Sequence, residues 1–157
     1  MIGKILRGAA VVAPALIVDR ITKVWAMGGI DSRAFIPGFV GFRYAENTGV
    51  AFSFLSDMPW LVNVLTVALV AAITALLIID KSLSRWARLG LWLIVAGGLG
   101  NLYDRFAYGY VVDFIELLFM KFAIFNVADI CVCCGAAIAA AALVFVDIKN
   151  EKTTEGA

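Results

Sequence analysis

Two aspartates, Asp113 and Asp129, are the residues of this chain best suited to chemistry. Each lies within or beside a long apolar stretch, and neither has a basic neighbour within a helical turn. A carboxylate at bilayer depth is costly, and one kept there usually has a function. Two that meet across neighbouring elements would share a proton, the acid–base arrangement of an aspartic protease. The chain has no histidine. That removes Ser-His-Asp and Cys-His nucleophile pairs and most catalytic zinc sites. No metal and no organic cofactor is expected. The three cysteines, Cys131, Cys133 and Cys134, fall together in an apolar run with no second Cys pair. They read as small apolar residues of a membrane helix rather than as ligands.

The elements that must position the aspartates follow from composition. Of the 157 residues 63% are hydrophobic, against about half in soluble domains. The expected class is an all-α integral membrane protein, a four-transmembrane-helix bundle forming a single domain over residues 1–157. A net charge of +1 offers no electrostatic support for binding nucleic acid. The spans are expected at about 5–27, 59–79, 87–106 and 122–146, with outer loops at about 28–58 and 107–121. The first segment has basic residues and an Ala13-Pro14-Ala15 that mimics a cleavage site. The proline inside that tripeptide and the charged helical continuation fit a retained span better than a cleaved signal peptide. Lys4 and Arg7, then Lys81, Arg85 and Arg88, then Lys149 and Lys152 share one face of a four-span chain. The positive-inside rule makes that face, and both termini, cytoplasmic. Loop 28–58 is too long for a connector. Its strand-like stretches, Gly38 to Tyr44 and Val50 to Leu55, predict a small sheet on the outer surface. The run from Tyr110 to Met120 reads as an interfacial segment.

With this topology the polar residues gather at one level, near the outer face. Asp19 and Lys23 are spaced i,i+4, and so are Gly97, Asn101 and Arg105; Asp104 follows Asn101 by three, as Asp129 follows Asn126. Each helix would turn one polar stripe inward, away from lipid. Plain structural readings exist beside the functional ones. Asp19 with Lys23 is most simply an ion pair, and Asp104 beside Arg105 is open to the same reading. Asn47, in Glu46-Asn47-Thr48-Gly49, fits a turn, and Asn101 and Asn126 fit interhelical hydrogen bonding. The glycines at 97, 98 and 100 would let helices approach closely.

The chain resembles the lipoprotein signal peptidase (signal peptidase II) family. The resemblance is carried by Asp19-Arg20-Ile21-Thr22-Lys23, Asn47-Thr48-Gly49-Val50-Ala51-Phe52-Ser53, Gly97 through Arg105 (GGLGNLYDR), Val112-Asp113-Phe114 and Phe125-Asn126-Val127-Ala128-Asp129. These five stretches occur in the family's order and span nearly the whole chain, without a departure at a motif position. The resemblance implies a membrane helix bundle with an extracytoplasmic β-cradle and an aspartyl dyad at Asp113 and Asp129. It implies that Asn47, Asn101, Arg105 and Asn126 line the site, and that Asp19 and Lys23 support the fold. It implies a diacylglyceryl-modified prolipoprotein as substrate, cut N-terminal to the lipid-modified cysteine in the bacterial inner membrane. Blockage by the cyclic peptide globomycin is implied as well.

Two other classes were weighed. A presenilin-like or prepilin peptidase would carry a Gly-Xaa-Gly-Asp motif, but Asp129 follows Val127-Ala128. A small proton-coupled transporter would spread polar residues through the membrane depth and often show internal repeats. Segment 59–79 has only Asn63, Thr66 and Thr74, and the halves are unlike. The partners expected are the prolipoprotein and membrane lipids, with the protein a monomer.

Overall fold

A computed structural model describes residues 2–30, 32–49 and 58–155. Four helices and three strands follow one another as α1 (Ile2–Met27), β1 (Arg33–Ile36), β2 (Val40–Asn47), α2 (Pro59–Ile79), α3 (Arg85–Tyr108), β3 (Val111–Leu117) and α4 (Val127–Glu155). Helix α2, and α4 over Val127–Phe145, are long and apolar enough to cross a membrane by length and composition.

Helix α2 carries no charge and starts with Pro59 in its first turn, where a missing N–H costs nothing. Its hydroxyls bond within the helix: Thr66 to the Val62 carbonyl and Thr74 to the Val70 carbonyl, both at 2.7 Å. That satisfies polar groups where water is absent. Its C-terminal carbonyls are closed by cations from two other helices. Lys4 Nζ donates to the carbonyls of Ile78 and Asp80, each at 2.8 Å. Arg88 donates to those of Leu77 at 3.1 Å and Asp80 at 2.8 Å. Basic groups at a helix C-terminus meet the negative end of its dipole, so these residues tie α1, α2 and α3 together.

Ser84 caps α3 by accepting from the Ala87 N–H at 3.1 Å. Gly109 ends it with a φ of 84°, and its N–H returns to the Arg105 carbonyl. This left-handed turn swings the chain directly into β3. The sheet is antiparallel in the order β1-β2-β3. Asp113 of β3 lies opposite Ala45 of β2, beside an irregularity between Phe42 and Ala45. Val112 and Phe114 pack with Ala26 at the end of α1, and Trp25 of α1 meets Phe42 and Phe114 edge-on. The strand period of two then turns Val111, Asp113 and Leu117 to the opposite side.

The run from Tyr110 to Met120, expected as an interfacial segment, is therefore mostly strand. An apolar run of this length carries no period that separates the two. The last helix starts at Val127 rather than 122. Residues before it are extended, and Phe125 pairs with Ile115 through two hydrogen bonds of 2.8 and 3.1 Å. The expected strand from Val50 to Leu55 lies outside the described residues.

Helices α3 and α4 approach closely at Gly97, where an added Cβ would fall against the Ala128 carbonyl oxygen and 2.7 Å from Val132 Cγ2. Backbone has no room to yield there. Gly97→Ala should lower stability by about 1–3 kcal/mol through overpacking. Thermal unfolding in detergent checks this, and an unchanged transition would show that the helices separate freely at that level.

Candidate active site

Asn126 stands at the centre of the site. It is the N-cap of α4, and its Oδ1 accepts from the Asp129 N–H at 2.9 Å. The Asp129 Oδ2 accepts in return from the Asn126 N–H at 3.1 Å. This reciprocal pair is a capping box. It is the physical reason the helix starts at Val127, and the Asn-x-x-Asp spacing before an apolar run was its sequence signal. The same Asn126 side chain reaches across to β3, where its Nδ2 donates to Asp113 Oδ1 at 2.6 Å. One asparagine thus bonds to both aspartates.

The remaining oxygens are held from two other elements. Asp113 Oδ2 accepts from Asn47 Nδ2 at 3.0 Å. Asn47 is oriented by its own turn, in which its Oδ1 accepts from the Gly49 N–H at 3.0 Å. Asp129 Oδ1 accepts from Asn101 Nδ2 at 2.7 Å. Arg105 donates to the Gly49 carbonyl at 2.8 Å. It therefore fastens the chain after β2 beside the aspartates, rather than pairing with Asp104.

Asp104 faces the other way, toward α1. It is fully buried and meets Lys23 at 2.8 Å and Arg20 at 2.7 Å. Its Oδ2 also accepts from the Val112 N–H at 3.2 Å, next to Asp113. Lys23 pairs with Asp19 at 3.1 Å and also donates to Asn101 Oδ1 at 2.9 Å. Asp19 Oδ1 accepts from the Ala128 N–H at 3.0 Å, so α1 caps α4. The i,i+4 spacing of Asp19 and Lys23 foretold their pair but not these further partners. Arg20 was not singled out by sequence reasoning. Its signal was charge balance: two cations within one turn of an apolar helix need two acids, and Asp19 is only one.

Both aspartates open on a cleft of about 610 Å³. Thr66, Leu69 and Val70 of α2 form one wall, and Ile94, Gly98, Asn101 and Arg105 of α3 another. The lining is chiefly apolar, with its polar groups clustered around the aspartates, the usual make-up of a ligand site. Cys133 and Cys134, one turn beyond Asp129, also border it, a position their apolar context did not announce.

Asp113 is 2% exposed, whereas Asp129 is half-buried and reaches the cleft. Burial first, then repulsion from Asp129, pushes the Asp113 carboxyl up to about 7; the Asn47 and Asn126 amides and the Lys23 charge pull the other way and are outweighed. Asp129 has a different setting. Both of its oxygens accept N–H groups at the positive end of α4, a favourable place for an anion.

A family model described as signal peptidase (SPase) II matches residues 11–145. The chain is 43% identical over 115 residues to a protein named lipoprotein signal peptidase from Streptococcus pyogenes serotype M2 (strain MGAS10270), covering 71% of this chain and 76% of that one. A protein of the same name from serotype M5 (strain Manfredo) is 42% identical over the same shares. Two solved structures described as bacterial membrane enzymes studied by the in meso method superpose on the fold. The first has a TM-score of 0.82 at 29% identity, over 88% of this chain and 87% of that one. The second has a TM-score of 0.77 at 29% identity, over 87% and 92%.

The electrostatics can be tested directly. The Asp113 carboxyl should titrate near pH 7 when followed by infrared difference spectroscopy in isotope-labelled protein. Asp129→Asn removes a repelling charge and should move that transition to lower pH. A transition near the ordinary carboxylate range, unmoved by the substitution, would break the link between the two groups.

Proposed function

The chain belongs to the signal peptidase II family, and we propose that it is an aspartic endopeptidase whose acid–base pair is Asp113 and Asp129. The observation that carries this reading is the bridge made by Asn126, whose side-chain amide donates to the Asp113 carboxyl and whose backbone N–H donates to the Asp129 carboxyl, at the edge of one cleft. The substrate is a diacylglyceryl-modified prolipoprotein, cut N-terminal to the modified cysteine. Names of relatives and membership of the family support that substrate, as does the apolar cleft, which suits acyl chains beside a peptide bond.

In this proposal all four helices span the bacterial inner membrane as one unit over residues 1–157, with both termini cytoplasmic. The basic residues Lys4, Arg7, Arg85 and Arg88 at one end of α1 and α3 support the orientation. The aspartates lie at the other end, near the outer face. Peptide bonds reach water there while acyl chains stay in lipid. The protein acts as a monomer.

The chemistry is hydrolysis by an activated water. Asp129, ionised, takes a proton from water as it attacks the scissile carbonyl carbon. Asp113, protonated, donates a hydrogen bond to the carbonyl oxygen as negative charge develops there. The tetrahedral species then collapses, the C–N bond breaks, and the proton held by Asp129 passes to the leaving amine. Asn47, Asn101, Arg105 and Asn126 bind and orient the peptide and hold the carboxyl groups. Asp19, Lys23, Gly97 and Asp104 support the helices that carry them. No metal and no cofactor takes part, and globomycin occupies the same cleft as substrate. A proton-coupled transporter is less well supported, since the charged residues cluster at the two ends of the helices and α2 has none.

Three measurements test the proposal on purified protein and a diacylglyceryl-modified prolipoprotein. Asp113→Asn and Asp129→Asn should each reduce turnover by at least about 1,000-fold while the protein still inserts and folds, because an amide cannot share the proton. Near-normal turnover in either variant would overturn the assignment. The pH dependence has a definite sign. Asp113 acts in its protonated form, so the alkaline limb of kcat/KM should fall about tenfold per unit, with its midpoint near 7. A rise through that range would exchange the two roles. Chelators should leave the rate unchanged; a loss on EDTA restored by zinc would require a metal.

A further inference from the structure

We propose that Lys23 is a positioning residue for the reaction, acting on Asp129 through Asn101, and not only a counter-ion that holds helices together. The inference rests on the aspartic-peptidase reading above. Lys23 has no exposed surface and does not border the cleft. Its ammonium has three donors and three partners: Asp19 Oδ2 at 3.1 Å, Asp104 Oδ2 at 2.8 Å and Asn101 Oδ1 at 2.9 Å. Two of those partners lead to Asp129 by separate routes.

The first route is a choice of amide orientation. A carboxamide has one acceptor end and one donor end. The Asn101 oxygen receives Lys23 Nζ and, at 3.2 Å, Asn126 Nδ2. With its oxygen held this way, its Nδ2 must face Asp129 Oδ1, where it donates at 2.7 Å. Without the ammonium, only Asn126 Nδ2 would hold that oxygen. That group already serves Asp113 Oδ1 and the Val112 carbonyl. The amide could then rotate and present its oxygen to Asp129, a repulsive contact. The second route runs through Asp19, whose other oxygen holds the N–H of Ala128, the residue before Asp129. One ammonium therefore sets both the partner of the Asp129 carboxylate and the turn that carries it.

Among the described residues, the charged groups around this cluster are few. They are Asp19 and Arg20 on α1, Asp104 and Arg105 on α3, Asp113 on β3 and Asp129 on α4. Helix α2 contributes none. Lys23 with Arg20 balances Asp19 with Asp104, which is what a purely structural role would require. The hydrogen bond to Asn101 goes beyond that requirement and links the cluster to the site.

The test is a double-mutant cycle on the full-length protein, using Lys23→Met and Asn101→Leu singly and together. The substrate is a diacylglyceryl-modified prolipoprotein, and kcat and KM are measured across the pH range around neutrality. Lys23→Met should lower kcat about 10–100-fold, the usual cost of removing a group that orients a reacting one, with KM little changed. Lys23→Met should cost much less in the Asn101→Leu background than in the wild type, because the larger part of its effect passes through Asn101 and only the route by Asp19 remains. The alkaline limb of the profile, governed by Asp113, should move to higher pH once the Lys23 charge is gone. Multiplicative losses in the double variant, with an unmoved limb, would make Lys23 a scaffold residue and overturn the proposal. If Lys23→Met does not accumulate in the membrane, Lys23→Gln is used in the same cycle, and failure of both assigns Lys23 to folding alone. A wild-type protein that leaves the substrate uncut, or an active Asp113→Asn variant, would refute the aspartic reading itself and is scored before the cycle is interpreted.

Discussion

A fully buried ammonium organises this molecule. An unpaired Lys23 at this depth would cost several kcal/mol of lost hydration. It is retained because α1 and α3 supply a complete shell of oxygens. The need to complete that shell fixes the rotation of α1 against α3. It places Asp104 away from the cleft and toward Arg20, and sets Asp19 under the first turn of α4. Once these helices are locked, Asn101 can face only the cleft. The polar network is closed on the α1 side and open on the α2 side, where a ligand has access.

The sheet solves a second problem, that of bringing an aspartate from outside the helices to one inside them. Gly109 turns the chain from α3 into β3 at once. Asp104, one turn before that glycine, then holds the Val112 N–H. Pairing of Phe125 with Ile115 folds the next segment back along β3. That return leaves Asn126 beside Asp113 and makes it the cap of α4. Backbone pairing, not side-chain attraction, brings the two acids near each other, and Asn126 then offsets part of their repulsion with its amide.

The different surroundings of the two carboxyl groups follow from these elements. A strand has no net dipole to favour an anion, and Asp113 is buried with neutral amides, those of Asn47 and Asn126, as the partners of its oxygens. A helix N-terminus does favour one, and Asp129 sits in the first turn of α4, half-buried at the edge of the cleft. The two carboxyl groups are distinguished by where the chain puts them, although the two residues are chemically identical.

Much of this was legible along the chain, for reasons that differ by element. Helix α2 occupies residues 59–79, as its uncharged apolar run and leading proline foretold, because burial in lipid demands that composition and length. The pairing of Asp19 with Lys23 followed from helical spacing, a local property. The strand at Val111–Leu117 did not follow, since it depends on β2, a partner distant in sequence; the helix start at Val127 had a local signal in the Asn126–Asp129 spacing, hidden by the apolar run before it, while the added cap on Ala128 comes from Asp19, 109 residues away. The direction of Asp104, the reach of Arg105 to Gly49 and the place of Cys133 and Cys134 beside the cleft were also undetermined. Sequence by itself determined the membrane class, the apolar helices and which residues could do chemistry, because these depend on residue type and near-neighbour spacing. Only the tertiary structure decided which polar groups meet, because a buried charge takes its partner from whatever the packing of distant segments brings within reach.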